Sequence, residues 1–419
     1  MDSLSQKFYD ELCNLTYWQK SYERIVQTEK YSTDTIEQVF AIMNSEKYKK
    51  IAKQLATGTY KFSTPEKVLI AKSESNKKRI IYKYAEIDRF IMSLLYRVTS
   101  SIFADKISPK CFSYKQGTNT ADAIASIQRG YTSKKYGVKM DIHAYFNSVN
   151  KEHLYACIDE LFPKNASVRK TFEALYMNDN ITFRGKPMEE YKSLIPGSAI
   201  GSFWANYCLR EVDAHFEELG VPYARYSDDI IIFGDSEEET HEFISWILDK
   251  ISAYGLTINE DKFTYFDPET PVEFLGLRFD THNVDISNHA KMKIKKTIKR
   301  WCKKARKDME INKKEFVPTA KAVCNRFNWR IYKTYIQDTT RFGWAYYAFR
   351  YINNPKSLIE LDNYYKDTLR AMKTGRHNKK NFYAISEDEF HEIGYISFIE
   401  MYNIFKSDFD YYCDIVARM

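Results

Sequence analysis

The spacing of apolar residues predicts a helical start to the chain that is interrupted by one β-hairpin. Residues 1–60 have helical periodicity, and helical spacing returns from Asp88 to Phe103. Between them lie two β-prone runs, Val68–Lys72 and Arg79–Tyr82, which are separated by a short polar segment. Two such runs around a polar connection are typical of a hairpin.

A strand followed by an amphipathic helix is predicted next. Gly137–Ile142 alternates apolar and polar residues, which places Asp141 near the end of a strand. The apolar positions after it follow the i, i+3, i+4, i+7, i+8 spacing of a helix with one buried face, at Leu154, Cys157, Ile158, Leu161 and Phe162.

A second hairpin is predicted around a pair of acidic residues. Tyr223–Tyr226 and Ile230–Phe233 are short strand-like runs, and Ser227, Asp228 and Asp229 lie between them. The two carboxylates are therefore expected at the tip of this hairpin.

The rest of the chain is predicted to be a helix, a strand and a long helical region. Ser236 and Glu239 have the spacing of a capping box that starts a helix, and Gly255 ends it. Its buried face is predicted at Ile244, Ile247, Leu248 and Ile251. Glu273–Phe279 is another strand signal before the turn-prone Thr281–Asn283, with a further hairpin expected in this region and helices beyond residue 290. This order of elements indicates an α+β fold.

Composition sets limits on the class of protein. The 419 residues are 44% hydrophobic, enough for a folded core, and the net charge of +7 suits a polyanionic partner without requiring one. No leader-like start and no run of about 18 apolar residues occurs, so a cytoplasmic protein without membrane association is expected. The seven cysteines form no CxxC pair and no Cys/His cluster, which argues against disulfides and a zinc site.

Three acids at predicted strand ends suggest a metal site. Mg²⁺ prefers carboxylate oxygens, and two such ions stabilise both the attacking and the leaving oxygen in phosphoryl transfer. An Asp-Asp pair by itself is more typical of a solvated turn than of a metal site. The four apolar residues after Asp228 and Asp229, and Asp141 on its own strand, favour the metal site, because adjacent carboxylates repel each other without a cation.

These motifs resemble those of reverse transcriptases. Arg225–Asp229 resembles their Tyr-x-Asp-Asp box, and Asp141–Phe146 resembles their first acidic motif. The resemblance implies catalysis by Asp141, Asp228 and Asp229. It also implies two Mg²⁺ ions, with Mn²⁺ as an alternative, bound by these acids and by the Ile142 carbonyl.

The same resemblance implies a right-hand polymerase fold of fingers, palm and thumb, with an antiparallel palm sheet and a helical C-terminal region. Residues 1–136 would form N-terminal helices and fingers, with a contribution from residues 160–200. Residues 137–285 would form the palm, and residues 286–419 the helical thumb and a C-terminal extension.

Further blocks in the same order imply a site for the incoming nucleotide. Gly58–Tyr60 and the basic residues near Arg79 resemble the fingers hairpin that grips the triphosphate, where positive charge offsets charge on the phosphates. Pro196–Ser202 resembles the loop under the nascent base pair, although Gly197 stands where many family members carry Gln. The implied nucleotide-binding residues are Lys72, Lys78, Arg79, Phe146, Gly197, Ser198 and Lys262, the last as a possible proton donor to pyrophosphate.

The ring of Phe146 is implied to select the sugar of the nucleotide. It follows Asp141 by five residues, where an aromatic side chain in the family packs beneath the sugar. A phenyl ring cannot hydrogen-bond a 2′-hydroxyl and would leave it unsatisfied in a tight site. Deoxynucleotides are therefore the expected substrates, and plain core packing is the alternative role of this ring.

Template and primer contacts are implied in several regions. Lys291–Glu310 carries ten Lys or Arg around an apolar stripe of Ile294, Ile298, Trp301 and Ala305. A helix there could dock by the stripe and present its charges to a duplex, as a thumb does, or could simply be a solvated charged face. The implied template and primer residues are Gln116, Gly117, Tyr226, Phe274, Leu275, Gly276, Lys295, Lys299, Arg300 and Lys303.

Within the family, the chain resembles the compact bacterial reverse transcriptases of antiphage defence, which are related to group II intron and retron enzymes. This resemblance implies a small noncoding RNA as template, dNTPs as substrates and a DNA product, and it leaves oligomerisation open. A retron-like or intron-related polymerase is one alternative. A non-enzymatic RNA-binding scaffold is the other, and the intact acids argue against it.

Overall fold

The computed structural model describes the chain except for residues 28–29, 72–77, 116, 131–134, 281–282, 334–335, 338–339 and 342. Lys72, Gln116 and the predicted turn residues Thr281 and His282 lie outside the described residues. Contacts divide the rest into two compact units, one extending to Asp267 and one from Pro268 to Met419. The division into fingers, palm and thumb stays a prediction.

The first unit combines helices with two four-stranded sheets. In chain order its elements are α1 (Ser3–Leu12), α2 (Leu15–Val26), α3 (Thr33–Met43), α4 (Lys47–Ala56), β1 (Glu66–Ala71), β2 (Lys78–Lys83), α5 (Glu86–Ile102), α6 (Thr120–Gly130), β3 (Tyr136–Asp141), α7 (Tyr145–Ser148), α8 (Lys151–Leu161), α9 (Arg169–Tyr176), β4 (Asn180–Phe183), β5 (Lys186–Glu189), α10 (Ile200–Tyr207), α11 (Arg210–Glu218), β6 (Tyr223–Tyr226), β7 (Asp229–Gly234), α12 (Glu237–Ala253) and β8 (Thr264–Phe266). The predicted helices of residues 1–60, both predicted hairpins and the strand before Asp141 are confirmed.

The central sheet has the strand order β6-β7-β3-β8 and is antiparallel throughout. Strand β7 is apolar on both faces, since Ile230–Phe233 are all buried, whereas β3 buries Val138 and Met140 on one face. Helix α12 packs against both of these strands. Burial of both of its faces explains why β7 is a continuous apolar run and does not alternate.

The other sheet has the order β2-β1-β4-β5, in which β1 pairs antiparallel with β2 and parallel with β4. Arg79 and Lys78 at the start of β2 are exposed. The sheet is thus mixed, whereas the sheet that carries the acids is antiparallel, as the sequence predicts for the palm.

Helix α12 begins at the predicted cap but differs in detail. The Ser236 hydroxyl accepts a hydrogen bond from the Glu239 N–H at 3.1 Å, as predicted. The Glu239 carboxylate accepts from the Asp235 N–H, one residue before the position that a capping box would use. Phe243 is buried while Ile244 is only partly buried, so the buried face is turned by about one residue from the prediction.

The second unit is a small antiparallel sheet followed mainly by helices. Its elements are β9 (Val272–Phe274), β10 (Leu277–Phe279), β11 (Val284–Ile286), α13 (Asn288–Asn312), α14 (Phe316–Tyr332), β12 (Ile336–Gln337), β13 (Thr340–Arg341), α15 (Trp344–Tyr351), α16 (Lys356–Thr374), α17 (Glu387–Glu392), α18 (Phe398–Ser407) and α19 (Phe409–Arg418). The predicted α+β class and helical C-terminal region are confirmed. Among the described residues, no helix combines the length and the apolar character that crossing a bilayer requires.

The strand signal over Glu273–Phe279 is divided by a turn, and the hairpin expected in this region is confirmed. Leu275 and Gly276 have positive φ values of 48° and 88° and form a two-residue turn between β9 and β10. Such a turn matches the twist of an antiparallel pair, and glycine accepts the positive φ without strain. The apolar alternation shifts by one position across the turn, from Val272 and Phe274 to Leu277 and Phe279.

Helix α13 carries the predicted apolar stripe, but some of its basic side chains are engaged within the second unit and do not point to solvent. Ile294, Ile298 and Trp301 are buried, and the helix packs against α14 and α16. Lys291 forms an ion pair with Glu360 at 2.7 Å, so part of the positive charge is neutralised within the unit.

Two more of its cations are also engaged. Arg306 donates hydrogen bonds to the carbonyl oxygens of Met372 and Lys373, and the Lys295 ammonium lies 5.4 Å from the ring centre of Tyr364. The cations that remain exposed include Lys299, Arg300 and Lys303. The face that could meet a polyanion is therefore narrower than the sequence suggests.

Candidate active site

The three predicted acids lie together at one end of the central sheet. Asp141 is the last residue of β3, Asp229 is the first of β7, and the two are register partners. Asp228 precedes Asp229 in the turn from β6. Carboxylate oxygens of the three residues lie within 4.8 Å of one another, and Asp141 is buried. The expected convergence is observed, whereas the role of these acids as metal ligands stays a prediction.

The turn holds its backbone in a fixed relation to the neighbouring strand. Ser227 has a positive φ of 62°, and the Ile142 N–H donates a hydrogen bond to the Asp228 carbonyl oxygen at 3.0 Å. In an extended chain, the N–H and C=O of one residue point to the same side. The Ile142 carbonyl therefore points toward the side on which Asp228 lies, as a candidate ligand should.

Burial and mutual repulsion shift the ionisation of the pair at the tip. Burial, followed by the charges of Asp228 and Asp141, raises the pKa of Asp229 to about 6. Burial and then the charge of Asp141 also raise the pKa of Asp228. Both shifts mean that the ionised cluster is unfavourable by itself, and a bound cation would relieve this cost.

Lys262 lies beside these acids. Its Nζ is 2.6 Å from Oδ2 of Asp141, and the Asn259 side-chain amide donates to Oδ1 of the same carboxylate at 3.2 Å. Burial alone would lower the pKa of Lys262, but the contact with Asp141 and the nearby acidic charges raise it. The lysine therefore keeps its proton, and a cation bound by Asp141 would compete with it. Its role toward pyrophosphate stays a prediction.

A buried ion pair beneath the turn was missed by the sequence analysis. Arg225 and Asp213 have side chains with 0% exposure, and Nε of Arg225 is 2.7 Å from Oδ1 of Asp213. The Tyr223 hydroxyl donates to the same oxygen at 2.8 Å. Arg225 also donates to the Ser227 carbonyl oxygen at 3.1 Å, which ties the ion pair to the turn. The sequence feature that could have revealed this ion pair is the single arginine within an otherwise apolar strand.

Two polar side chains complete the support of the turn. The Ser227 N–H donates to the Ser113 hydroxyl at 2.8 Å, and this hydroxyl donates to the Asn206 side-chain oxygen at 3.1 Å. The Asn206 amide in turn donates to the Ser113 carbonyl oxygen at 2.7 Å. Both backbone polar groups of Ser227 thus have fixed, buried partners.

The loop before α10 lies against the β1–β2 hairpin. The Tyr82 N–H donates to the Pro196 carbonyl oxygen at 2.9 Å. Gly197 has a φ of 97°, and a Cβ on it would lie 3.3 Å from Cβ of Ile81. Arg79 shares the strand face of Ile81 because alternate residues face the same way, whereas Lys78 faces the opposite way. This geometry favours Arg79 over Lys78 as a contact of anything bound at the loop.

The other predicted nucleotide residues have defined surroundings. The Ser198 hydroxyl donates to the Ile195 carbonyl oxygen at 2.8 Å and accepts from the Gly201 N–H at 3.2 Å, so it is used within the loop. Phe146 is partly buried, with ring centroids of Tyr114 and Tyr145 at 6.0 and 5.9 Å, both edge-on.

The predicted template and primer residues are divided between the two units. In the first unit, Tyr226 is the register partner of Asp229, and Gly117 is exposed with a φ of 81°. In the second unit, Phe274 is buried, and the Leu275 carbonyl oxygen accepts from the Tyr347 hydroxyl at 3.1 Å. The roles of all these residues stay predictions.

The expectation that no Cys/His cluster exists was wrong. The sulfur atoms of Cys157 and Cys208 and a ring nitrogen of His153 lie within 4.8 Å of one another. Two of these residues are four positions apart on α8, but Cys208 is remote in the sequence. Only the folded chain brings the third residue to the others.

A family model for reverse transcriptases (RNA-dependent DNA polymerases) matches residues 70–279, which is half of the chain and includes all three acids. The chain belongs to this family. Membership of the reverse transcriptases, together with the observed α+β architecture, confirms the predicted polymerase fold class.

Relatives of this reverse transcriptase are distant. The group II intron-encoded protein LtrA of Lactococcus lactis subsp. cremoris is 21% identical over 238 residues, which cover 55% of this chain and 38% of LtrA. The chain thus spans well under half the length of this curated relative.

Two solved telomerase structures are also similar. Apo telomerase from Candida tropicalis has a TM-score of 0.48 at 10% identity, covering 85% of this chain and 69% of that one. Telomerase from Candida albicans in complex with a TWJ fragment of telomeric RNA has a TM-score of 0.41 at 12% identity, covering 84% and 66%. At these scores the superpositions do not by themselves establish a shared overall fold.

The acid cluster predicts a pH-dependent response to Mg²⁺. The pKa of Asp229 is raised from 3.8 to about 6, so the metal-free protein loses stability as the pH rises between these values. Mg²⁺ needs the ionised form and should raise the melting temperature more at about pH 8 than at about pH 5. Thermal melts of wild type, Asp229→Asn and Asp235→Asn, whose carboxylate is 80% exposed, test this. An equal Mg²⁺ effect at both pH values, or one retained in Asp229→Asn, would contradict it.

The buried ion pair predicts a large loss of stability in Arg225→Met. Removal of the arginine leaves Asp213 charged, buried and unpaired, which costs about 3–5 kcal/mol in the free energy of unfolding. Urea unfolding followed by tryptophan fluorescence measures this loss, with the exposed Arg24→Met as the matched control. Adding Asp213→Leu to Arg225→Met should recover much of the stability. A single variant as stable as wild type would show that the pair does not support the turn.

Proposed function

We propose that this chain is an RNA-directed DNA polymerase that adds deoxynucleotides to a primer by two-metal-ion phosphoryl transfer. The observation that carries the proposal is the convergence of three carboxylates, Asp141, Asp228 and Asp229, on adjacent strand ends of a reverse transcriptase domain. Such hard oxygen ligands suit Mg²⁺, with Mn²⁺ as an alternative.

The residues of the cluster fit a pair of divalent ions. Asp141 and Asp228 would hold them together with the Ile142 carbonyl, and Asp229 would complete the site. The raised pKa values of Asp228 and Asp229 support this assignment, because burial and mutual repulsion make the ionised carboxylates unfavourable and a bound cation would relieve this cost. When bound, the ions would supply activation of the primer hydroxyl and stabilisation of the leaving pyrophosphate.

Other residues of the chain would bind and orient the nucleotide. Arg79 would offset charge on the triphosphate from the β2 face that meets the Gly197 loop. Lys262 holds a proton at Nζ beside Asp141 and is thereby placed to act near the phosphates. Phe146, braced by two tyrosines, would lie beneath the sugar.

The template would be RNA, and the duplex would contact exposed cations of α13, namely Lys299, Arg300 and Lys303. Phosphate contacts of this kind make binding depend strongly on salt. We further propose a small noncoding RNA as template and a role in antiphage defence, on the basis of the resemblance between the sequence motifs and those of such enzymes. The similarity to LtrA keeps an intron-related role as the second candidate.

Primer extension tests the polymerase directly. Purified full-length protein with Mg²⁺, dNTPs and a primed RNA should extend the primer, and Asp228→Asn plus Asp229→Asn should slow extension by at least about a thousandfold, because metal stabilisation is worth several kcal/mol. Asp235→Asn plus Asp249→Asn, two exposed acids, is the matched control. Wild-type inactivity on every template and primer would favour the RNA-binding scaffold.

Sugar selection tests the placement of Phe146. Phe146→Ala should lower the preference for dNTPs over rNTPs about tenfold to a hundredfold, because a 2′-hydroxyl would no longer be stranded against the ring. The ratio of kcat/KM for the two nucleotides measures this effect, with Phe183→Ala, a partly buried phenylalanine on β4, as the control. Unchanged discrimination would remove Phe146 from this role.

A further inference from the structure

Three metal-binding side chains outside the acid cluster converge in the first unit. His153 and Cys157 are one helical turn apart on α8, and Cys208 directly follows α10. Nε2 of His153 is 3.8 Å from Sγ of Cys157, and the three candidate ligand atoms all lie within 4.8 Å of one another. Two elements that are distant in sequence thus bring two thiols and an imidazole to one point.

The packing fixes the direction of these groups. Cys157 and Cys208 are 1% and 0% exposed, whereas His153 is partly exposed and connects the cluster to solvent. The imidazole is stacked on Tyr254 with a centroid distance of 3.6 Å and an interplanar angle of 16°. Its Nε2 donates a hydrogen bond to the Cys208 carbonyl oxygen at 2.8 Å, which orients the ring, and a metal bound at this nitrogen would replace that proton and that hydrogen bond.

A hydrogen-bond donor lies beside one of the two sulfur atoms. Nη1 of Arg210 is 3.4 Å from Sγ of Cys157, a distance at which its N–H can donate a hydrogen bond to the sulfur. Glu160 and Glu211 are ion-paired with the same guanidinium and offset its charge. Thiolate ligands of metals commonly accept such outer hydrogen bonds.

We propose that His153, Cys157 and Cys208 bind one Zn²⁺ ion. Two thiolates and an imidazole are the nitrogen and sulfur ligands that zinc prefers, and they disfavour Mg²⁺, which requires oxygen. A fourth ligand would be a water molecule that enters beside the partly exposed His153. A disulfide is the alternative for these residues, but it would use only the two sulfur atoms and would not involve the imidazole.

The bound ion would link the two elements that carry its ligands. Helix α10 begins just after the Gly197 loop, and its Asn206 backbone carbonyl accepts a hydrogen bond from Arg225 at 3.1 Å. A zinc ion at Cys208 would tie the C-terminal end of this helix to α8. Its ligands are separate from the three acids of the candidate active site, so the ion would act through the positions of α8 and α10 and not on the reacting groups.

Metal analysis of the purified full-length protein tests the proposal. After reconstitution with Zn²⁺ under reducing conditions and removal of unbound metal, the wild type should retain about one zinc per chain. Cys157→Ser, Cys208→Ser and His153→Ala should each lose most of it. Cys302→Ser, an equally buried cysteine in the second unit, and Asp228→Asn plus Asp229→Asn should retain it.

Substitution with Co²⁺ gives a second readout that does not depend on stability. The wild type should show the strong visible absorption of tetrahedral Co²⁺ and a thiolate-to-cobalt charge-transfer band, and the band should weaken in each cysteine variant. Circular dichroism confirms that each variant is folded. Three results would overturn the proposal: no retained zinc in the wild type, zinc equally retained in Cys157→Ser and Cys208→Ser, or a Cys157–Cys208 disulfide that persists under reducing conditions.

Discussion

Mutual repulsion among three carboxylates is the constraint that this fold must overcome. With oxygens within 4.8 Å of one another, each ionised pair repels by about 3 kcal/mol at an effective dielectric of about 20. The register of β3 and β7 sets Asp141 opposite Asp229, so the acids cannot move apart without breaking the sheet. Stability supplied elsewhere must therefore hold the cluster together, and a cation would make it favourable.

That support is concentrated beneath the turn. Arg225 and Asp213 neutralise each other in full burial, and Ser113 and Asn206 satisfy the backbone around Ser227. Helix α10 connects these contacts. Its N-terminal end follows the loop at Gly197, and its last turn supplies the Asn206 carbonyl oxygen that accepts from Arg225. Displacement of this one helix would therefore affect both the loop at Gly197 and the turn that carries Asp228 and Asp229.

The sequence predicts what depends on local pattern and misses what depends on convergence. Alternation and turn residues locate the strand of Asp141 and the hairpin of Asp228 and Asp229, because both signals lie within about ten residues. Asp213 and Arg225 carry no such periodic signal, since their pairing follows from the packing of a helix on a strand. The turn at Leu275 and Gly276 has a local signal, because the apolar alternation shifts by one position between Phe274 and Leu277.

The same difference between local pattern and convergence in the fold applies to the two candidate metal sites of the first unit. The acids are visible in the sequence because four consecutive apolar residues follow the Asp pair and Asp141 lies on a strand of its own, whereas Cys157 and Cys208 look like ordinary small core residues until the fold joins them. The two clusters differ in ligand chemistry, with oxygen at one and sulfur and nitrogen at the other. Sulfur and nitrogen ligands disfavour Mg²⁺ at the Cys/His cluster, whereas carboxylates accept Zn²⁺ as well as Mg²⁺, so only the Cys/His cluster would discriminate between these ions by ligand type.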